Sequence, residues 1–247
     1  MHEITVLPGT DKHEKPERFD RIELRTGGLY AIVGNTGSGK TRFIKDIEQL
    51  VQGDSPTKRS VLVDGDAPRK EQRRSYSGSL IAHLSQNMRF VLDVSVDQFI
   101  ELHRACRASS ASAPEVLELA NRITPERIDA ACNLNLLSGG QTRALMIADI
   151  ALVCNSPVVL VDEIENAGID KEAAFEALLD ARKLVLVVTH DPHTALLADT
   201  RIVMAGGAVS CVRTRTTAEE QLEARLHQAY RQTKALQSAL RTGEALA

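Results

Sequence analysis

Eight consecutive residues, Gly34-Asn35-Thr36-Gly37-Ser38-Gly39-Lys40-Thr41, have the types and spacing to grip a chain of phosphates. The glycines let the backbone turn tightly, so that successive N–H groups point inward at an anion. Lys40 can reach the β- and γ-phosphates of a nucleoside triphosphate, and the Thr41 hydroxyl can ligate Mg²⁺. The apolar run Leu29–Val33 precedes these residues. A helical pattern from Thr41 to Val51 follows, with Phe43, Ile44, Ile47, Leu50 and Val51 on one side. Strand, glycine-rich turn and helix in that order form the context that such a loop requires. The helix N-terminus adds partial positive charge to it.

A second acidic site sits at the end of another apolar run. Asp162 and Glu163 follow Val158–Val161. Next to a phosphate loop, Asp162 can hold Mg²⁺ through its water shell and Glu163 can orient or deprotonate an attacking water. Alone, the same pair could be no more than favourable charge at a helix N-terminus.

These groups need a frame to hold them. Leu29–Val33, Val158–Val161 and Leu184–Val188 are continuous apolar runs, not alternating ones. That pattern suits strands of a parallel sheet covered on both faces. The chemistry-bearing residues then fall at the carboxyl ends of the strands, where α/β sheets present their sites. Met146 to Val153 reads as a helix. Val94 to Arg127 is helical in pattern, broken by a loop-like stretch from Ala108 to Pro114. The expectation is an α/β core with a helical insertion. From Thr217 to Leu240, residues Leu222, Leu226, Ala229, Thr233, Leu236 and Leu240 form a heptad-like stripe. It reads as a packing face, within the chain or against a second copy.

Composition narrows the class. A chain of 247 residues with 43% hydrophobic and 26% charged residues is globular. At this length roughly 70–75% of the unfolded surface can be buried, so stability needs no disulfide or structural metal. The net charge of −3 argues against a nucleic-acid binder. Aromatics at 3%, with no Trp, leave little for stacking on single strands. Cys106, Cys132, Cys154 and Cys211 are widely spaced and read as reduced thiols of a cytoplasmic protein. No run approaches the ~20 apolar residues of a membrane span, and the segment from Met1 does not read as a signal peptide.

Leu137-Ser138-Gly139-Gly140-Gln141, taken with the phosphate loop, makes the sequence resemble the nucleotide-binding subunit of ATP-binding cassette (ABC) proteins. The resemblance runs from about Ile22 to Val212, and its other marks stand in the family's order. Gln86 occupies the Q-loop position, Asp162-Glu163 the Walker B end, Ala167–Asp170 the D-loop position and His190 that of the switch histidine. The implied fold is a P-loop NTPase core spanning 1–212, with a helical signature subdomain at about 87–140 and a C-terminal helical tail over 213–247.

The resemblance also implies a mechanism. Two subunits close head to tail around two MgATP. Ser138, Gly139, Gly140 and Gln141 of one subunit meet the nucleotide held by Gly34–Thr41 of the other. Glu163 is the base, His190 bonds the γ-phosphate, and Gln86 senses Mg²⁺ and water. Thr41, Gln86 and Asp162 are the implied metal ligands. The implied partners are a second ABC subunit, a copy of the first, and the permease subunits of a membrane transporter. That arrangement places the chain in the cytoplasm, with the inner face of the membrane as a peripheral station. A soluble ATPase that remodels or activates a client such as a metalloenzyme is the alternative. A DNA-repair ATPase fits less well, because no long coiled-coil insertion separates the motifs.

Some positions depart from the family pattern. Ile164-Glu165-Asn166 stands where a Pro-Thr-Ser-type stretch is common, Arg143 is shifted from its usual place, and Asp149 replaces a commonly basic residue. The base-stacking aromatic is open between His13 and Phe19. Arg69, Lys70, Arg73 and Arg74 read as a solvated face. Phe90, Val91 and Leu92 either contact the membrane partner or pack the helical insertion.

Overall fold

The structure, a computed structural model, describes residues 1–85, 88–164 and 168–243. At its centre is a six-stranded sheet built from β3 (Leu29–Val33), β5 (Ile81–Leu84), β6 (Val158–Asp162), β7 (Leu184–Val188), β8 (Thr200–Ala205) and β9 (Ala208–Thr214). Their order is β5-β6-β7-β3-β8-β9, with β9 antiparallel to β8 and the other neighbours parallel. All five residues of β7 are buried. The continuous apolar runs are therefore the interior strands, as a sheet covered on both faces requires. A second, antiparallel sheet has the order β2-β1-β4, from β1 (Glu3–Leu7), β2 (Ile22–Arg25) and β4 (Ser60–Val63).

Two apolar layers hold these sheets. On one side, α1 (Lys40–Glu48) wedges Phe43, Ile44 and Ile47 between the six-stranded sheet and the small sheet, against Ile4, Val61 and Leu186. On the other side lie α3 (Val96–Arg107), α4 (Ala113–Ile123), α5 (Gly139–Leu152) and α6 (Lys171–Asp180). Val116, Leu145, Ile147 and Leu178 there meet Val159 and Val187 of the sheet. The remaining helices are α2 (Arg73–Leu80), α7 (Pro192–Leu197) and α8 (Thr217–Thr242).

Several expectations need correction. The helix read from Met146 begins at Gly139, because Ser138 caps it: Ser138 Oγ accepts from Gln141 N–H and Gln141 Oε1 accepts from Ser138 N–H. The loop-like stretch ending at Pro114 already contains the start of α4. Ser112 and Glu115 form the same reciprocal cap there, and Pro114 sits in the first turn, where its missing N–H costs nothing. Arg73 is not a solvated charge. It makes two hydrogen bonds to Asp54, at 2.9 and 2.6 Å, and its side chain is 12% exposed. The heptad stripe of the tail is not the face that α8 packs. Leu222, Leu236 and Leu240 are exposed, while Glu223, His227, Tyr230 and Lys234 face α6 and α7. Phe90 packs edge to face on Phe99, with centroids 4.8 Å apart, whereas Val91 is 93% exposed.

Candidate functional site

Three neighbouring strands bring the expected chemistry to one edge of the sheet. The order β6-β7-β3 places Asp162–Glu163, His190 and the loop Gly34–Gly39 side by side. Backbone hydrogen bonds fix their depth: Glu163 N–H donates to Val188 C=O at 3.1 Å, and Thr189 N–H donates to Ile32 C=O at 3.2 Å. The alignment follows from the pairing register, in which Asp162 faces Val188 and Val188 faces Ile32.

The loop has the backbone shape that an anion-binding turn needs. Gly34, Gly37 and Gly39 all have positive φ. A Cβ on Gly34 would stand 2.3 Å from Met204 O, and one on Gly39 would reach Gly207 Cα at 3.0 Å, so both positions exclude a side chain. Asn35, Thr36 and Gly37 are exposed at the rim. Lys40 is buried and arches back over the loop, its Nζ donating to Gly34 O at 2.7 Å and Asn35 O at 3.2 Å. Ser38 Oγ is buried and has no hydrogen-bond partner among the described residues. A buried hydroxyl of that kind is costly unless a ligand completes it. Thr41 is exposed at the start of α1, beside the helix's unpaired N–H groups. A triphosphate with its Mg²⁺ fits this donor set: an ammonium, hydroxyls and N–H groups on one side, and the Asp162 carboxylate on the other.

Glu163 and His190 lie together, with His190 Nε2 4.0 Å from Glu163 Oε1. Glu163 has φ 49, in the left-handed region, where the chain turns sharply out of β6. Arg143, one of the departures from the family pattern, extends from α5 and donates to the Glu163 carbonyl at 3.4 Å. Next to His190, Asp191 caps α7 and binds Lys171 Nζ. Burial pushes the Asp191 carboxyl up, but the hydrogen bonds from Lys171 and Thr194 outweigh it and hold the group at about 2.

Ser138–Gln141 stand apart from this edge. The partners of Ser138 and Gln141 are each other, Glu126 and Arg127; Ser138 Oγ donates to Glu126 Oε2 at 2.6 Å. Gly139 and Gly140 open α5. Among the described residues none of these contacts reaches Gly34–Thr41. Gln86 lies outside the described residues, as do Glu165, Asn166 and Ala167. Of the two rings considered for base stacking, Phe19 packs against the core while His13 is exposed. Asp149 is buried and accepts from His103 Nδ1 at 2.7 Å, so this departure ties α3 to α5.

A buried ionic cluster behind the loop gives no sign of itself in the sequence. Arg59, fully buried, donates from Nε and Nη2 to Glu17 at 2.9 and 2.6 Å, and from Nη1 to Asp46 at 3.0 Å. Asp46 also accepts from Arg42 of the same helix α1 and from Thr57. Glu17 accepts from Gly9 N–H and Val209 N–H. The cluster thus joins the segment before β2, the helix of the phosphate loop and strand β9. Glu17 and Arg59 are 42 residues apart, a spacing that no local pattern links.

The family model described as ABC transporter matches residues 20–166. The chain is 45% identical over 248 residues to an uncharacterized ABC transporter ATP-binding protein of Methanocaldococcus jannaschii, covering 100% of this chain and 95% of that one. It is 27% identical over 205 residues to the lipoprotein-releasing system ATP-binding protein of Anaplasma marginale, covering 76% and 87%. Its fold is similar to that of a dimeric, post-hydrolysis ATP-binding cassette bound to ADP and Pi. The TM-score is 0.62 over 86% of this chain and 99% of that one, at 24% identity.

Proposed function

The chain belongs to the ABC transporter family of ATP-hydrolysing subunits, and from that premise we propose that it closes with a second copy around two MgATP and drives the permease of a membrane transporter. The observation that carries the reading is the separation of two half-sites. The phosphate loop, Asp162, Glu163 and His190 share one sheet edge, while the contacts of Ser138 stay within its own helical segment. Head-to-tail closure supplies each half with the other.

In this proposal, backbone N–H groups of Asn35 to Gly39 and the Lys40 ammonium hold the β- and γ-phosphates. Lys40 exchanges its carbonyl acceptors for phosphate oxygens, a charge-assisted bond in place of a neutral one. Thr41, Asp162 and Gln86 would hold Mg²⁺, which would supply positive charge to the transferring phosphate. Glu163 accepts the proton of the attacking water. His190 donates to the γ-phosphate and keeps Glu163 oriented. Ser138, Gly139, Gly140 and Gln141 of the second copy direct a hydroxyl and the helix N-terminus at the same phosphate. Hydrolysis removes the charge that joins the copies, and they part.

No described helix is long and apolar enough to cross a membrane. In this proposal the membrane-spanning part is supplied by another chain, and this one works at the membrane's inner face. Val91, 93% exposed beyond the Gln86 position, is a surface for that partner. The soluble-client reading gains no support from the relatives named above.

The experiment uses Glu163→Gln, which retains shape but accepts a proton poorly. With MgATP it should elute as a dimer on size exclusion while hydrolysing at most a hundredth as fast as the unaltered chain. As bait in mild detergent it should retain a multi-span protein. Near-normal hydrolysis would remove Glu163 as base. A dimer that retains only soluble proteins would overturn the transporter assignment while leaving the ATPase site intact.

A further inference from the structure

Away from the nucleotide edge, α8 lies against α6 and α7, and the contact is made of metal-ligand side chains. Glu172 near the start of α6, His193 in α7 and His227 in α8 place one donor atom each within 4.8 Å of one another. Glu223, one helical turn before His227 on α8, stands beside this group, its Oε1 3.7 Å from His193 Nε2. Glu172 Oε1 is 3.3 Å from the same nitrogen and 2.6 Å from His227 Nδ1. Tetrahedral coordination at about 2.0–2.2 Å sets donor atoms roughly 3.3–3.5 Å apart. The observed spacings bracket that value.

The second observation is His193 itself. It is 4% exposed, and among the described residues neither ring nitrogen makes a well-formed hydrogen bond, although two carboxylates face Nε2 at 3.3 and 3.7 Å. A buried imidazole in that position is costly unless something completes its bonding. Lys171 does not oppose a cation here as a bare charge, because it is bound to Asp191. A groove of about 610 Å³ lined by Glu172, Glu223 and His227 gives an ion a route from solvent.

We propose that Glu172, His193, Glu223 and His227 form a binding site for a divalent transition metal ion of the zinc class, which clamps the C-terminal helix onto α6 and α7. Two imidazoles and two carboxylates suit zinc over Mg²⁺ or Ca²⁺, whose sites are built from oxygen donors. Two ionised carboxylates balance the charge of the ion. With Glu223 drawn in as the fourth ligand, the site is closed and structural. The clamp reaches towards the nucleotide edge, because α7 starts at Asp191, next to His190, and α8 also binds Asp170 through Tyr230 and Lys234.

The test uses the full chain, free of any histidine tag, chelator-treated, and titrated with Co²⁺ without nucleotide. One equivalent should give the intense visible bands of a four-coordinate complex, and Zn²⁺ should abolish them by displacement. His227→Ala removes a half-exposed ligand without opening the core. It should weaken binding at least tenfold and cancel the rise in Tm that Zn²⁺ gives the unaltered chain. Glu223→Gln, which keeps the helix face intact, should weaken binding in the same direction. Weak six-coordinate bands would overturn the proposal. So would intense bands that survive in both variants, since the ligands would then be other residues such as the cysteines.

Discussion

Arg59→Met tests the ionic cluster behind the phosphate loop. The substitution keeps a long side chain over Phe43, whose ring lies 5.1 Å from the guanidinium carbon, and removes only the charge and its donors. Glu17 would then be a buried carboxylate with 0% side-chain exposure and no arginine, and Asp46, equally buried, would keep only Arg42 as its arginine. Breaking such a pair costs about 3–5 kcal/mol, because a charge is left uncompensated. The remaining bonds place this case near the lower end. Glu17 keeps the N–H groups of Gly9 and Val209, and Asp46 keeps Arg42 and Thr57. For a chain of this size the loss corresponds to a fall in Tm of roughly 6–20 °C. Urea unfolding followed by circular dichroism reads the free energy, and calorimetry reads Tm. The triple variant Arg59→Met, Glu17→Gln, Asp46→Asn should regain part of the loss, since no charge is then stranded. A single-variant loss under about 1 kcal/mol, or a triple variant no more stable than the single, would refute the reasoning.

Two further outcomes follow from the site. Ser138→Arg in the Glu163→Gln background should bind ATP as a monomer yet form no ATP-driven dimer on size exclusion, and lose about 1 kcal/mol of stability with its helix cap; undiminished dimer would remove the cross-subunit role. Asp191 is held at about 2, below the ordinary 3.8, so its contribution to stability is present above the ordinary value and lost as pH falls through about 2. In acid titrations of stability, Lys171→Met should flatten that decline between about pH 4 and pH 2, and an unchanged decline would mean Lys171 is not the cause.

What was legible in the sequence was what repeats locally or carries fixed chemistry. Three of the four interior strands announced themselves because both faces are buried, so no polar residue interrupts Leu184–Val188, whereas β8 carries Thr200 and Arg201 and was not identified. The phosphate loop was legible because Gly34 and Gly39 admit no other residue. The small strands β1, β2 and β4 were not identified, being four or five residues long with mixed burial. The loop reading at Pro114 failed because proline and serine serve a helix start as well as a turn. The tail stripe misled for a different reason. Its leucines have the right period, but His227, Tyr230 and Lys234 make specific bonds on another face, and these outweigh nonspecific apolar packing. The Arg59 cluster and the Glu172–His193–His227 group join residues distant along the chain, which a single sequence does not pair.

With Glu163 as the base proposed above, its left-handed backbone sets durability against turnover at one position. A side chain other than glycine costs about 1–2 kcal/mol in that conformation, so random change filtered only for folding would drift there towards glycine or asparagine. Nothing comparable acts on Gly34 or Gly39, where the residue that binds is also the one that the chain tolerates. A lineage freed from the need to hydrolyse would therefore shed its acid first and keep its grip on phosphate long afterwards. The enzyme would decay into a nucleotide-holding protein before it decayed into an unfolded one.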